Sequence, residues 1–140
     1  MDTVSAERRS EIMSRVRDKG TRPEMTVRRL VHGLGYRYRL HGRELPGRPD
    51  LVFASRRKVI FVHGCFWHRH SGCALARTPK SRVEFWRAKL DGNRKRDLVK
   101  QSELAGLGWG VLVIWECELS GLELVAERVV RFLEDGREVG

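Results

Sequence analysis

The stretch from Pro46 to Cys73, PGRPDLVFASRRKVIFVHGCFWHRHSGC, constrains the fold of this chain more than any other. Its two short apolar runs, Leu51-Val52-Phe53 and Val59-Ile60-Phe61-Val62, are β-branched and aromatic. The polar Ser55-Arg56-Arg57 separates them, which is the pattern of a β-hairpin. A turn centred near Arg56 sets Asp50 opposite Val62, with His63 and Gly64 just beyond. One carboxylate therefore meets a strand end that runs directly into a loop rich in His and Cys. Pro49 disfavours helix at Arg48 and has no N–H for a ladder, which suits the position just ahead of a strand.

The segments on either side supply the layers that cover such a hairpin. Residues 5–17 are charged and helix-favouring, with Ile12, Met13 and Val16 as a thin apolar stripe, and Asp18-Lys19-Gly20 ends that helix. Thr21-Arg22-Pro23-Glu24 spells a capping box, with Val27, Leu30, Val31 and Leu34 following at helical spacing and Gly35 as the stop. Tyr36, Tyr38 and Leu40 alternate with Arg37 and Arg39, predicting a half-buried strand before a loop from His41 to Arg48. Beyond the Cys/His loop, Ser81-Arg82-Val83-Glu84 predicts a second capping box. It opens a long helix to about Leu104 that carries Phe85, Trp86, Leu90 and Leu98, and Gly106 and Gly108 close it. The continuous apolar run Val111 to Trp115 has the pattern of a strand buried on both faces and delivers Glu116-Cys117 at its end. A last helix is expected over 120–134, with Gly136 to Gly140 frayed. The order is helix, helix, strand, strand, strand, helix, strand, helix, so the economical fold is α/β, a mixed β-sheet flanked by helices.

At 140 residues the chain suits one domain with a true core. No stretch approaches the roughly 18 apolar residues of a membrane span, and the N-terminus lacks an apolar signal core, which points to a cytoplasmic protein. Twenty-eight Lys and Arg against eighteen Asp and Glu give a formal charge of +10. The basic residues are dispersed, from Arg8-Arg9 to Arg94-Lys95-Arg96, so they form a basic face on a folded body, with a polyanion as the expected partner.

Three cysteines in a chain without an export signal argue against a disulfide framework and for metal ligation. Cys65-x4-His70-x2-Cys73 offers three soft ligands on one loop, and Cys117 lies at the end of the buried strand. One Cys3His tetrahedral zinc site uses every cysteine and leaves no position for catalytic water, so it is expected to be structural. His63 and His68 remain beside Asp50. A carboxylate for a hard divalent cation and imidazoles that titrate near neutrality form a workable hydrolytic set for a phosphodiester. On spacing alone, Glu24 reads as a capping residue and Asp97 as half of a surface ion pair.

Taken together, PGRPD, FVHGCFWHRHSGC, the segment Asn93-Arg94-Lys95-Arg96-Asp97, GWGVLVIWECEL and the opening MSRVRDKGTRPE resemble the very short patch repair (Vsr) endonucleases, strand-specific mismatch nicking enzymes. The resemblance runs from about Arg9 to about Gly121. It implies a restriction-endonuclease-like fold in which Asp50 and the backbone carbonyl of Val62 hold magnesium. Family members often have Thr where Val62 stands, a change that a carbonyl ligand survives. It further implies His68 as general base oriented by Asp97, His63 at the scissile phosphate, and Glu24 holding a water of the metal's hydration shell. The zinc ligands it implies are Cys65, His70, Cys73 and Cys117. Phe66 and Trp67 are expected to wedge between base pairs from the major groove at a T:G mismatch, with Met13, on a DNA-contacting helix within residues 1–18, entering from the minor-groove side.

The substrate so implied is double-stranded DNA carrying the T:G mismatch left by deamination of 5-methylcytosine. The thymine strand would be nicked on its 5′ side by a monomer, and downstream repair proteins would act on the nick. Two alternatives stand: a site-specific nicking or restriction-like nuclease on the same fold, and a noncatalytic zinc-stabilised DNA-binding module. A zinc deaminase is disfavoured, because its His-Glu signature and paired Cys-x-x-Cys are absent.

Overall fold

The structure is a computed structural model that describes residues 21–135. The segment 5–17 with Met13, and residues 136–140, lie outside the described residues. Seven elements follow in chain order: α1 (Arg22–Gly33), β1 (Arg39–Leu40), β2 (Leu51–Phe53), β3 (Lys58–His63), α2 (Val83–Gly106), β4 (Gly110–Trp115) and α3 (Leu122–Asp135). The strands form one sheet in the order β1-β2-β3-β4. The first three are antiparallel, and β4 returns through α2 to lie parallel to β3, with Val59 against Val111 and His63 against Trp115. The expected mixed sheet flanked by helices is thus present.

Strand alternation divides the core between two faces. Ile60, Val62, Leu112 and Ile114 pack with Val27 and Val31 of α1 and Val125, Val129, Phe132 and Leu133 of α3. Val59, Phe61, Val111 and Val113 pack on the other face with Val52 and Leu104 of α2. Because both faces of β3 and β4 are covered, every residue from Val59 to His63 and from Val111 to Ile114 is buried, as a continuous apolar run requires. Two chemical ends result: β3 leads into the Cys/His loop, and β4 leads into a 3₁₀ turn, Glu116–Ser120, that carries Cys117.

Several local expectations are corrected. The hairpin reverses through a 3₁₀ turn, Ala54–Arg56, with Arg57 left-handed at φ 54°, and its register sets Leu51 against Ile60. Continued outward, that register puts Phe61, not Val62, opposite Asp50. The strand expected over Tyr36 to Leu40 is reduced to Arg39–Leu40, and Leu40 is exposed. The two tyrosines still pack on the core, their hydroxyls donating to Glu134 Oε1 at 2.8 Å and to the Arg28 carbonyl at 3.0 Å. The first capping box is half realised: the Glu24 amide donates to Thr21 Oγ1 at 3.3 Å, while the Glu24 carboxylate turns inward. At α2 the box fails, since the N-cap is Arg82, left-handed at φ 55° and without a side-chain cap. Its guanidinium instead lies 4.4 Å from the centre of the Phe85 ring. Phe85 and Leu98 are largely exposed, and Trp86, Leu90 and Leu104 make the buried face of α2.

Candidate active site and metal centre

Asp50 stands where β2 begins and β3 is about to end. Its Oδ2 accepts a hydrogen bond from the Val62 amide at 2.7 Å. One pleat beyond the Leu51–Ile60 pair, the register brings Pro49 against Val62, and proline has no N–H. The side chain of the next residue therefore takes the Val62 N–H. In a strand the N–H and C=O of one residue face the same side, so the Val62 carbonyl also faces this edge, where Pro49 has nothing to donate to it. Gly47 completes the reason for the PGRPD sequence: it holds φ at 77°, and a Cβ there would meet Lys100 Cβ at 2.9 Å and the Phe61 ring at 3.2 Å.

Glu24, 1% exposed, brings a second carboxylate from α1. Its Oε2 lies 2.9 Å from His41 Nε2 and 3.6 Å from Arg28. Donor atoms of Glu24, His41 and Asp50 all lie within 4.8 Å of one another. Burial, with the Glu24 charge adding to it, pushes the Asp50 carboxyl up to about 7. Two carboxylates gathered with a backbone carbonyl at a half-covered sheet edge form a donor set that fits a hard divalent cation.

His63 and His68 stack face to face, ring centres 3.9 Å apart and planes at 4°. His63 is buried against Phe61 and Trp115, and burial, reinforced by His68, pushes it down to about 2, so it is neutral. Its Nδ1 is a buried polar atom with no hydrogen-bond partner among the described residues. His68 is half-buried, and its Nδ1 lies 2.5 Å from Asp97 Oδ2. That carboxylate fixes the proton on Nδ1 and leaves Nε2 as the basic nitrogen. Asp97 is therefore no surface ion pair; it comes from α2 to orient an imidazole held by a loop.

The loop after β3 is tied down by a cluster of soft ligands. His70 Nδ1 lies 3.5 Å from Cys65 Sγ and 3.4 Å from Cys117 Sγ. These separations match the about 3.5 Å edge between thiolate and imidazole in a tetrahedral zinc site, given bond lengths of about 2.3 and 2.0 Å. Cys73 joins them, with all four ligand atoms within 4.8 Å of one another. Burial pushes the Cys65 thiol up to about 12, so this sulfur stays protonated unless a cation takes the proton's place. Four donors of this type in this spacing fit a closed structural site.

Phe66 and Trp67 are half-buried, edge to face with each other, and both lean on Trp86 of α2, with ring centres 5.7 and 6.1 Å away. They are neither core nor free in solvent; they rest on a platform.

Sequence reasoning missed the residues that fasten this loop. Asn93 Nδ2 donates to the Trp67 carbonyl at 3.1 Å, Glu116 Oε1 accepts from the Cys65 amide at 3.2 Å, and Arg69 joins Asp91 at 2.9 Å and Thr78 Oγ1 at 2.7 Å. Sequence reasoning also missed His41, within the loop expected from His41 to Arg48. A usable signal was present for α2, since Trp86, Leu90, Asn93 and Asp97 recur at helical spacing and face the loop together. No periodicity marks Glu116 or His41, whose roles arise from chain ends brought together by the sheet.

A buried carboxylate pair, a carboxylate-bonded imidazole and a loop gathered by a Cys/His cluster, all at one edge of a helix-flanked mixed sheet, form a set that suits metal-assisted hydrolysis. Comparison with known proteins makes that chemistry particular. The family model for the DNA mismatch endonuclease Vsr matches residues 1–75. The type II nicking enzyme V.XorIIP of Xanthomonas oryzae pv. oryzae is 53% identical over 133 residues, covering 95% of this chain and 97% of the relative. The DNA mismatch endonuclease Vsr of Escherichia coli K12 is 43% identical over 128 residues, 91% of this chain and 81% of the relative. The type II nicking enzyme V.NmeAIP of Neisseria meningitidis serogroup A is 37% identical over 134 residues, 96% and 95% of the two chains. The chain belongs to the Vsr endonuclease family. Among the described residues no helix is long and apolar enough to cross a membrane.

Proposed function

We propose that this protein is a strand-specific DNA mismatch endonuclease that nicks on the 5′ side of the thymine in T:G mismatches, the lesion left by deaminated 5-methylcytosine. The observation that carries the reading is the adjacency, on one stapled loop, of an aromatic pair and a carboxylate-oriented base: Phe66 and Trp67 on their Trp86 platform, followed at once by His68 with its Asp97 partner. The kinship with the E. coli mismatch endonuclease supports it.

Asp50 and the Val62 carbonyl hold the catalytic cation, with magnesium the expected ion, and Glu24 orders its hydration shell. When bound, the cation neutralises the charge that develops on the attacked phosphate. His68 Nε2 takes a proton from the attacking water. Asp97 keeps the tautomer that makes this possible and stabilises the imidazolium that results. His63, neutral and stacked on His68, contacts the scissile phosphate. Cys65, His70, Cys73 and Cys117 hold zinc, which orders the loop without taking part in hydrolysis.

Phe66 and Trp67 enter the duplex at the mismatch, where opening a step costs less than the few kcal/mol of intact stacking. Deformability thus becomes specificity. The formal charge of +10 supplies the sequence-independent attraction to phosphates. The protein is proposed to work as a cytoplasmic monomer, because one centre makes one nick, and Met13 to approach from the minor groove. Asp50→Ala tests the centre: nicking of a T:G duplex in magnesium should be lost while most duplex affinity remains, and a fully active variant would overturn the assignment.

A second reading has a specific observation behind it. Two of the relatives above carry the name type II nicking enzyme, which favours a nuclease that nicks at a defined sequence.

A further inference from the structure

His41 belongs to none of the roles described so far, yet it is the residue most firmly aimed at the carboxylate pair. Its backbone is left-handed at φ 51°, and its amide donates to the Asp50 carbonyl at 3.0 Å. The next amide, that of Gly42, donates to the Pro49 carbonyl at 3.0 Å, so backbone bonds continue past the end of β1 and pin His41 beside Asp50. The ring then reaches across to α1, where Nε2 lies 2.9 Å from Glu24 Oε2. Three donors from three separate segments converge within 4.8 Å.

The 2.9 Å separation has two chemical meanings. It is a good hydrogen bond, and it is also the cis edge of an octahedral site, which is about 3.0 Å for metal–ligand bonds of about 2.1 Å. Glu24 and Asp50 bring two carboxylates, and the Arg28 guanidinium of α1 lies 3.6 Å from Glu24. A dication accommodated here would find an imidazole nitrogen already in place. Magnesium has little use for nitrogen, whereas first-row transition dications favour it.

We propose that His41 is a direct nitrogen ligand of the catalytic cation beside Asp50, with Glu24 then bound directly rather than through a water of the hydration shell, and that it gives this centre a preference for first-row transition dications such as Mn2+ over Mg2+. The inference rests on the reading that Asp50 holds that cation.

The test uses the full chain with its Cys/His site loaded with zinc, titrated with Mn2+ and, separately, Mg2+. Binding is followed by loss of the free Mn2+ resonance and by calorimetry, and ligation by ¹⁴N modulation in the pulsed EPR of bound Mn2+. The wild type should bind Mn2+ at least ~10-fold tighter than Mg2+ and show imidazole ¹⁴N coupling. His41→Ala should lose both the coupling and the Mn2+ preference. His41→Gln, which keeps an amide donor for Glu24 and so preserves the local bond, should do the same. Wild-type Mn2+ without imidazole coupling, or coupling that survives in His41→Gln, would overturn the proposal. Asp50→Ala separates the two levels: loss of both cations there supports the underlying assignment, whereas wild-type affinity for both would overturn that assignment itself.

Discussion

At the scale of single residues, position sets the protonation states on which the proposed mechanism relies. His68 is useful only in the tautomer that leaves Nε2 free, and Asp97, 2.5 Å from Nδ1, imposes it. In the proposed mechanism Asp97 acts through His68 and is a positioning residue. Asp97→Asn should lower the single-turnover nicking rate by about 10²-fold while the affinity for a T:G duplex, measured in parallel, stays nearly unchanged. An equal loss of affinity would assign Asp97 a merely structural role.

Asp50 makes a different case, because burial drives its carboxyl up to about 7 from 3.8. A folded-state value above the unfolded one means that the magnesium-free protein binds the extra proton when folded. Its contribution to stability is full at low pH and is lost as pH rises towards 7. Asp50→Asn should therefore stabilise the magnesium-free protein at pH 8, by an amount on the order of a few kcal/mol. The difference should shrink as pH falls from 7 to 5, as followed by denaturant unfolding. A gap that widened on acidification would contradict the burial account.

At the scale of elements, the loop from Cys65 to Cys73 is the unit on which the site depends. It has no regular ladder of its own, and it is held by Cys117, by Glu116 after β4, and by Asn93 and Asp91 from α2. Cys117→Ser should leave the sheet and helices folded but loosen this loop. The expected result is an unchanged far-ultraviolet circular dichroism spectrum, a shifted emission from Trp67, Trp86 and Trp115, and nicking reduced by at least 10-fold. Emission and activity like those of the wild type would show that the cluster is not needed to order the loop.

The elements were largely legible in the sequence wherever apolar period decided them. Val27 and Val31 marked the inner face of α1, and the two uninterrupted runs marked β3 and β4. What stayed hidden was set by contacts between segments far apart in the chain. The turn at Ala54–Arg56 shifted the hairpin register by one residue, and Asp50 kept its bond to Val62 because Pro49 cannot donate one. Glu24 fitted a helix-capping pattern, although its carboxylate belongs to the site. That Cys65, His70, Cys73 and Cys117 come together was readable from residue type and spacing, since they include every cysteine of the chain. The fastening bonds from Asn93 and Glu116 leave no compositional trace.

At the scale of the whole molecule, the fold brings one sheet edge, one helix face and one loop to the same place in a chain whose formal charge is +10. β3 carries Val62 and His63, α2 carries Trp86, Asn93 and Asp97, and α1 carries Glu24, so no single segment holds a complete centre. The same arrangement sets His68 and Asp97 beside the aromatic pair, and the proposed function links cutting to a weak step in the duplex through that adjacency.

A strand-resolved nicking assay in magnesium tests this coupling of cutting to the mismatch most directly. Matched end-labelled duplexes would be used, one with a T:G mismatch within varied flanks and the other fully paired. A single cut is expected in the thymine strand, on the 5′ side of the mispaired base, with no cut in the paired duplex. Cleavage of the paired duplex at a defined sequence, or binding without cleavage in every context, would contradict it.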